Sequence, residues 1–176
     1  MSITLNESIL SNYLADVFIE TGTYIGGAVE IALKLGFKEI YTIEIVEEFF
    51  NIAKNKFLDN SNVHCFLGSS SELLEQILNK ITEEKTITFW LDGHFIQTHE
   101  PDFAKDKFPL MDELNIIKNL KNKKHNILID DVRCFNNVLP HTQDQIEAAI
   151  KNINKDYKIN YIDSSRFSND ILAATV

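Results

Sequence analysis

Short apolar runs alternate with amphipathic stretches along most of this 176-residue chain. The apolar runs predict strands at about 17–20, 39–43, 63–67, 87–91 and 127–129. Between them, apolar residues at helical spacing predict helices at about 26–36, 49–57, 70–81, 110–120 and 142–153. Because such alternation is typical of βα units, we predict an α/β fold with a mostly parallel sheet.

The two ends of the chain and one internal stretch depart from this rhythm. Residues 6–15 predict a short N-terminal helix, while runs at 157–162 and 171–176 predict two further strands, joined by a hydrophilic connection short enough for a hairpin. A polar stretch at 93–108 interrupts the alternation, and it predicts either a lid or substrate loop or a loop that is disordered in the unliganded protein. With no repeats or linkers, residues 1–176 are expected to form a single domain.

The composition narrows the classes of partner. Hydrophobic residues make up 44% and charged residues 24%, with neither a membrane-length apolar run nor the residue order of a signal peptide, so we expect a cytoplasmic protein without a membrane partner. The net charge of -9 and the lack of a basic stripe argue against a nucleic-acid partner. Cys65 and Cys134 are far apart and lie in or beside apolar runs, so we expect buried, unreactive thiols.

A glycine turn follows the first predicted strand. Glu20 ends the strand, Gly22 and Gly26 follow, and an apolar helix then begins, which places backbone N–H groups at a sheet edge where α/β folds bind ligands. The dinucleotide motif G-x-G-x-x-G needs a glycine where Thr23-Tyr24 stands. This spacing disfavours a dinucleotide ligand.

Acidic residues end four of the predicted strands. These residues are Glu20, Glu44, Asp92 and the pair Asp130-Asp131. The carboxyl ends of parallel strands meet at one edge, so these side chains should converge. Buried carboxylates repel one another unless something cationic binds among them. The recurrence therefore predicts a binding site.

The order acid-x-Gly-x-x-x-Gly resembles the first motif of the class I S-adenosylmethionine (SAM) dependent methyltransferases. The segments Trp90-Leu91-Asp92-Gly93-His94 and Leu128-Ile129-Asp130-Asp131-Val132-Arg133 resemble the signatures WLDxH and LIDDxR of small bacterial methyltransferase-like proteins. The resemblance implies a doubly wound, Rossmann-like sheet of about seven strands with an antiparallel last strand. It also implies SAM as cofactor.

The same resemblance implies roles for individual residues on the cofactor side. Glu20 would lie near the amino acid end of SAM, and Glu44 would accept hydrogen bonds from both ribose hydroxyls. Ser69 stands where the family often has an acid near adenine, although a helix-capping role explains it equally well. The implied cofactor-binding set is Glu20, Gly22, Thr23, Gly26, Glu44, Gly68, Ser69 and Asp92.

On the acceptor side, Asp92 matches the acid beside the transferred methyl group. In metal-dependent O-methyltransferases such an acid joins an acidic pair after strand five, which implies that Asp92, Asp130 and Asp131 hold Mg²⁺. The alternative is that Asp130 is a cofactor-side acid and Asp131 caps the next turn. Asp92 and His94 are the candidate catalytic residues that would assist proton loss, although His94 is alternatively a further ligand or a solvated loop histidine. Arg133 would pair with these acids or with an anionic substrate.

These observations together predict a SAM-dependent methyltransferase that acts on an oxygen of a small molecule, with or without a divalent metal. Two alternatives stay open: an inactive SAM- or nucleotide-binding module, and an NAD-type dinucleotide-dependent enzyme. Little chain lies outside the predicted core to build an acceptor pocket, so a homodimer is a further expectation.

Overall fold

The computed structural model describes residues 4–93, 108–137 and 139–176. All strands within these ranges join one seven-stranded sheet in the order β3-β2-β1-β4-β5-β7-β6. The strands are β1 (Val17–Thr21), β2 (Glu39–Glu44), β3 (Val63–Leu67), β4 (Ile87–Leu91), β5 (Asn126–Ile129), β6 (Lys158–Ile162) and β7 (Ile171–Thr175). Strands β1 to β5 pair in parallel, whereas β7 runs antiparallel to both β5 and β6. The predicted α/β class and antiparallel last strand are confirmed.

The helices follow the predicted positions with small shifts at their ends. In the described residues they are α1 (Glu7–Leu10), α2 (Gly27–Lys34), α3 (Glu47–Lys56), α4 (Ser70–Leu78), α5 (Leu110–Lys118) and α6 (Gln143–Ile153). The predicted N-terminal helix is shorter than expected, because α1 passes after one turn into a 3-10 turn at Ser11–Tyr13. Helix α6 begins at a capping box, in which Thr142 and Gln145 satisfy each other's backbone N–H groups.

Helices cover both faces of the sheet, which explains why the central strands are apolar at nearly every position. Alternate residues point to opposite faces. Phe18, Trp90 and Leu128 pack under α1, α2 and α3, and Ile19 and Phe89 pack under α4, α5 and α6. Burial on both faces is typical of parallel sheets and leaves polar side chains room only at the strand ends.

Several smaller expectations can be compared with the structure. The connection at 163–170 joins an antiparallel pair of strands, as predicted for a hairpin. Cys134 is buried and Cys65 half-buried, and both are free thiols. In the described ranges, no helix is long and apolar enough to cross a membrane. Of the predicted lid at 93–108, residues 94–107 lie outside the described residues.

Candidate active site

The sheet's hydrogen-bond ladder continues one residue past the strand ends and places the acids. The Asp92 N–H donates to the Thr21 carbonyl (3.1 Å), and the Asp130 N–H donates to the Leu91 carbonyl (3.2 Å). These bonds extend the parallel pairing of β4 with its neighbours β1 and β5. Glu20, the last but one residue of β1, lies at the same edge. The predicted convergence of acids is therefore built by the backbone.

Packing within the protein requires glycine at both positions of the glycine turn. Gly22 has φ +82°, and a Cβ there would overlap the Asp92 carbonyl group, whose carbon would be 2.7 Å away. Gly26 has φ +79°, and a Cβ there would come within 2.8 Å of the Phe57 ring. The turn therefore packs directly against Asp92, the first residue after β4.

Several N–H groups of the turn donate to acceptors within the protein. The Gly22 and Thr23 N–H groups donate to the Ile43 carbonyl (2.9 and 3.3 Å). The Tyr24 N–H donates to Glu44 Oε2 (2.7 Å). These bonds fix the turn on β2.

Glu44 is a buried carboxylate held by two backbone donors. Its Oε2 accepts from Tyr24, and its Oε1 accepts from the Val46 N–H (2.8 Å). Burial raises its pKa, and these backbone donors offset part of that rise. Because each carboxylate oxygen has two acceptor sites, each can still accept one hydroxyl of a vicinal diol. This geometry is suited to the predicted ribose contact.

Glu20 is 2% exposed and lies beside two threonines. Thr42 Oγ1 donates to Glu20 Oε2 (2.6 Å), and the Thr42 and Thr23 hydroxyls contact each other. Burial raises the pKa of Glu20 to about 8, with a further contribution from the charge of Glu44. The predicted site residue Thr23 thus supports Glu20 through Thr42, with its own hydroxyl engaged.

The three predicted metal ligands lie together. Asp92, Asp130 and Asp131 each present a carboxylate oxygen, and these oxygens all lie within 4.8 Å of one another. Asp130 is 2% exposed, and its Oδ1 has no hydrogen-bond partner among the described residues. Burial raises the pKa of Asp130 to about 6, and burial together with the charges of Asp130 and Asp131 raises that of Asp92 well above its ordinary value. Such a donor set fits a hard divalent cation.

Two further residues contact this trio. Thr4 was not predicted to do so, and Arg133 was predicted with two alternative partners. The Thr4 hydroxyl, far away in the sequence, donates to Asp130 Oδ2. Arg133 forms ion pairs with Asp131 and with Asp170, a fully buried residue just before β7. Arg133 therefore pairs with the acids, the first of its two predicted alternatives.

A further buried acid, Glu113 of α5, reaches the same edge and was missed. Its Oε1 lies 3.3 Å from the position that a Cβ on Gly93 would take, and Thr21 Oγ1 lies 3.1 Å from that position. Glu113 is 1% exposed. A signal was present in the sequence, since Glu113 occupies the apolar stripe of α5 between Leu110 and Leu114.

The remaining predicted residues lie at the β3 end of the site or outside the described ranges. The Gly68 N–H donates to the Glu44 carbonyl (2.8 Å), which brings Gly68 and Ser69 to the cofactor side. Ser69 precedes α4 as expected of a cap, but its hydroxyl bonds to Ser71 and makes no capping hydrogen bond. His94 lies outside the described residues, so its role stays a prediction.

No family model matches the sequence, and no curated protein matches it. Solved structures match over nearly the whole chain. An O-methyltransferase from Bacillus cereus in complex with S-adenosylhomocysteine (SAH) aligns with a TM-score of 0.63 and 17% identity, covering 97% of this chain and 78% of that one. The SAH-bound methyltransferase PaMTH1 from Podospora anserina gives 0.63 and 12%, covering 96% and 75%.

The O-methyltransferase TomG from Streptomyces achromogenes, involved in tomaymycin synthesis and in complex with SAM, gives a TM-score of 0.60 and 13% identity, covering 97% and 77%. At these identities the similarity establishes the fold. The chain has the α/β, Rossmann-like fold of the class I methyltransferases.

The close approach of Gly22 to Asp92 predicts unequal effects of two alanine substitutions. Gly36 has nearly the same φ, +81°, but a Cβ there would meet nothing within 4 Å. Gly36→Ala should cost about 1 kcal/mol for the left-handed backbone, whereas Gly22→Ala should cost about 2–4 kcal/mol because overpacking adds to it. Urea unfolding of the two variants measures the difference. Equal losses would contradict the crowding at Asp92.

Proposed function

We propose that this protein is a SAM-dependent methyltransferase that methylates an oxygen of a small molecule with the help of a divalent metal. The observation that carries the proposal is the row of acids along one edge of a methyltransferase-fold sheet. Glu20 and Glu44 lie at the cofactor end of the row, and Asp92, Asp130 and Asp131 lie together at the other. A cationic cofactor and a cationic metal would both lower the repulsion among these groups.

At the cofactor end, Glu44 would bind the ribose and Glu20 the amino acid end of SAM. The backbone donors on Glu44 fix its carboxylate before the ligand arrives, which limits the entropy lost on binding. Thr42 does the same for Glu20. Tyr24, which stands where a dinucleotide motif requires glycine, packs its ring against Phe49 with 4.6 Å between ring centroids. This packing favours SAM over a dinucleotide.

At the acceptor end, Asp92, Asp130 and Asp131 would hold Mg²⁺. Asp130 Oδ1, buried and without a hydrogen-bond partner in the described part of the chain, supports this assignment. When bound, SAM supplies the methyl group, and a metal makes an acceptor hydroxyl more acidic. The chain's own contribution is to position both ligands, with Thr4 orienting Asp130. His94 is the proposed proton acceptor.

A small-molecule acceptor is the substrate class that the charge of the chain favours. The net charge is -9, and three of the acids that contribute to it lie together at the acceptor end, so a phosphate backbone would be repelled. The acceptor atom is proposed to be oxygen because hard carboxylate ligands favour a metal that binds oxygen donors.

Cofactor binding tests the proposal directly. We expect SAM and SAH to raise the melting temperature and NAD(H) to leave it unchanged. Glu44→Gln should weaken SAM binding by roughly 10–100-fold, the value of a charge-assisted hydrogen bond, as measured by calorimetry. The control is Glu47→Gln, on the exposed first turn of α3, which should bind SAM like the wild type. Stabilisation by NAD(H) without stabilisation by SAM would refute the assignment.

The raised pKa of Glu20 predicts how the preference for SAM over SAH depends on pH. The SAM sulfonium is positively charged at every pH, whereas the SAH sulfur is neutral, and the amino group titrates in both. Since the pKa of Glu20 is about 8, raising the pH from 6 to 9 ionises this residue and adds negative charge beside the cofactor. The ratio of the SAH and SAM dissociation constants should therefore rise, by roughly tenfold.

Calorimetry at several pH values, with both ligands, measures this ratio. Glu20→Gln cannot ionise, so its ratio should rise less with pH than that of the wild type; the rise that remains comes from Asp92 and Asp130, whose pKa values are also raised. A ratio that stays flat in the wild type, or that rises equally in Glu20→Gln, would exclude Glu20 as the group that distinguishes the two ligands.

Metal binding tests the acceptor end separately. Titration of the metal-free wild type with MgCl₂ should show binding, and Asp131→Asn should weaken it by at least roughly tenfold because one anionic ligand is lost. SAM binding to the same variant should persist. Asp163→Asn, an exposed carboxylate on the β6–β7 connection, is the matched control. An identical Mg²⁺ affinity in Asp131→Asn and the wild type would remove Asp131 from the site.

A further inference from the structure

Arg133 joins two carboxylates that lie far apart in the sequence. Its Nη1 atom contacts Oδ1 of Asp131 and donates to Oδ2 of Asp170 at 2.5 Å. The ring of Phe167 covers the guanidinium, with 4.3 Å between Arg133 Cζ and the ring centroid. The guanidinium is thus held on several sides, next to one of the three acids of the proposed metal site.

Asp170 is the fixed end of this chain of contacts. It is 0% exposed, and its backbone carbonyl accepts from the Val132 N–H (2.9 Å). Its carboxylate also accepts from the Ser164 hydroxyl (3.2 Å) and from the Arg133 N–H (3.4 Å). A carboxylate held by this many donors has little freedom, so the guanidinium bound to it is fixed as well.

We propose that Asp170 is a positioning residue for the divalent cation, although it does not belong to the trio of Asp92, Asp130 and Asp131. Asp170 shares the Arg133 guanidinium with Oδ1 of Asp131, and this sharing sets how much of the Asp131 charge is available to the cation. The inference rests on the metal-binding part of the proposed function and extends it to a residue outside the ligand set.

The charges of the three residues give the direction of each effect. In the wild type, Asp131, Arg133 and Asp170 together carry one net negative charge. If Asp170 became neutral, the guanidinium would pair with Asp131 alone and compete with the cation for it. If Arg133 were then removed as well, the competitor would be absent and the net negative charge would return.

The test is titration of metal-free protein with MgCl₂ by calorimetry. Asp170→Asn, which has nearly the same shape, should bind Mg²⁺ roughly 10–100-fold more weakly than the wild type. The double variant Asp170→Asn with Arg133→Gln should recover to within roughly threefold of the wild type, by the charge argument. Asp163→Asn makes the same charge change on the same connection, outside the contacts of Arg133, and should have no effect.

Recovery in the double variant distinguishes positioning from a merely structural role, because a damaged hairpin would not be repaired by a second substitution. An unchanged affinity in Asp170→Asn, or a double variant as weak as Asp170→Asn, would overturn the inference. Arg133→Gln alone provides an answer even if Asp170→Asn does not fold. It should bind Mg²⁺ at least as tightly as the wild type, and weaker binding would overturn the inference.

The outcomes also separate this inference from the proposed function. A wild type that binds SAM but no Mg²⁺ contradicts the metal site and the role of Asp170 together, and leaves the cofactor assignment standing. A wild type that binds both ligands, with Asp170→Asn equal to it, contradicts the role of Asp170 alone.

Discussion

Parallel pairing of β4 with both β1 and β5 is the constraint on which the site depends. The pairing is continued by the N–H groups of Asp92 and Asp130, so these acids cannot move apart without breaking the sheet's own hydrogen bonds. The carboxylates are held together by the backbone, against their mutual repulsion. The neighbouring groups, from threonine hydroxyls to Arg133, stabilise carboxylates whose positions the sheet determines.

The acids along this edge differ in the partners that stabilise them. This difference divides the proposed site into a cofactor half and a metal half. Glu44 has two backbone donors and Glu20 has one hydroxyl, so the cofactor half is prepared by hydrogen bonds. In the other half, Arg133 pairs with Asp131, while Asp130 keeps a buried oxygen without a partner among the described residues. The proposed cation would therefore stabilise Asp130 more than any other acid of this half.

The fold and the convergence of the acids at one edge could be predicted from the sequence, because both depend on the local residue pattern and on strand order. Apolar runs give the strands, and an acid after each run lies at a common edge once the strands are parallel. The contacts of the acids depend instead on residues brought together only by folding. Thr4 meets Asp130 across 126 positions, and Asp170 lies in a stretch that reads as a hydrophilic connection. Nothing in the spacing of these residues indicates either contact.

In the glycine turn, contacts within the protein explain the glycines, whereas neighbouring side chains indicate the ligand. Gly22 and Gly26 are required by contacts with Asp92 and Phe57, and the neighbouring N–H groups bind Ile43 and Glu44. Those contacts lie within the protein, so the fold explains both glycines. The ligand is indicated by the side chains that the turn supports. Because Gly22 rests on the backbone of Asp92, the turn also joins the two halves of the proposed site, and a shift of the turn would be transmitted to Asp92.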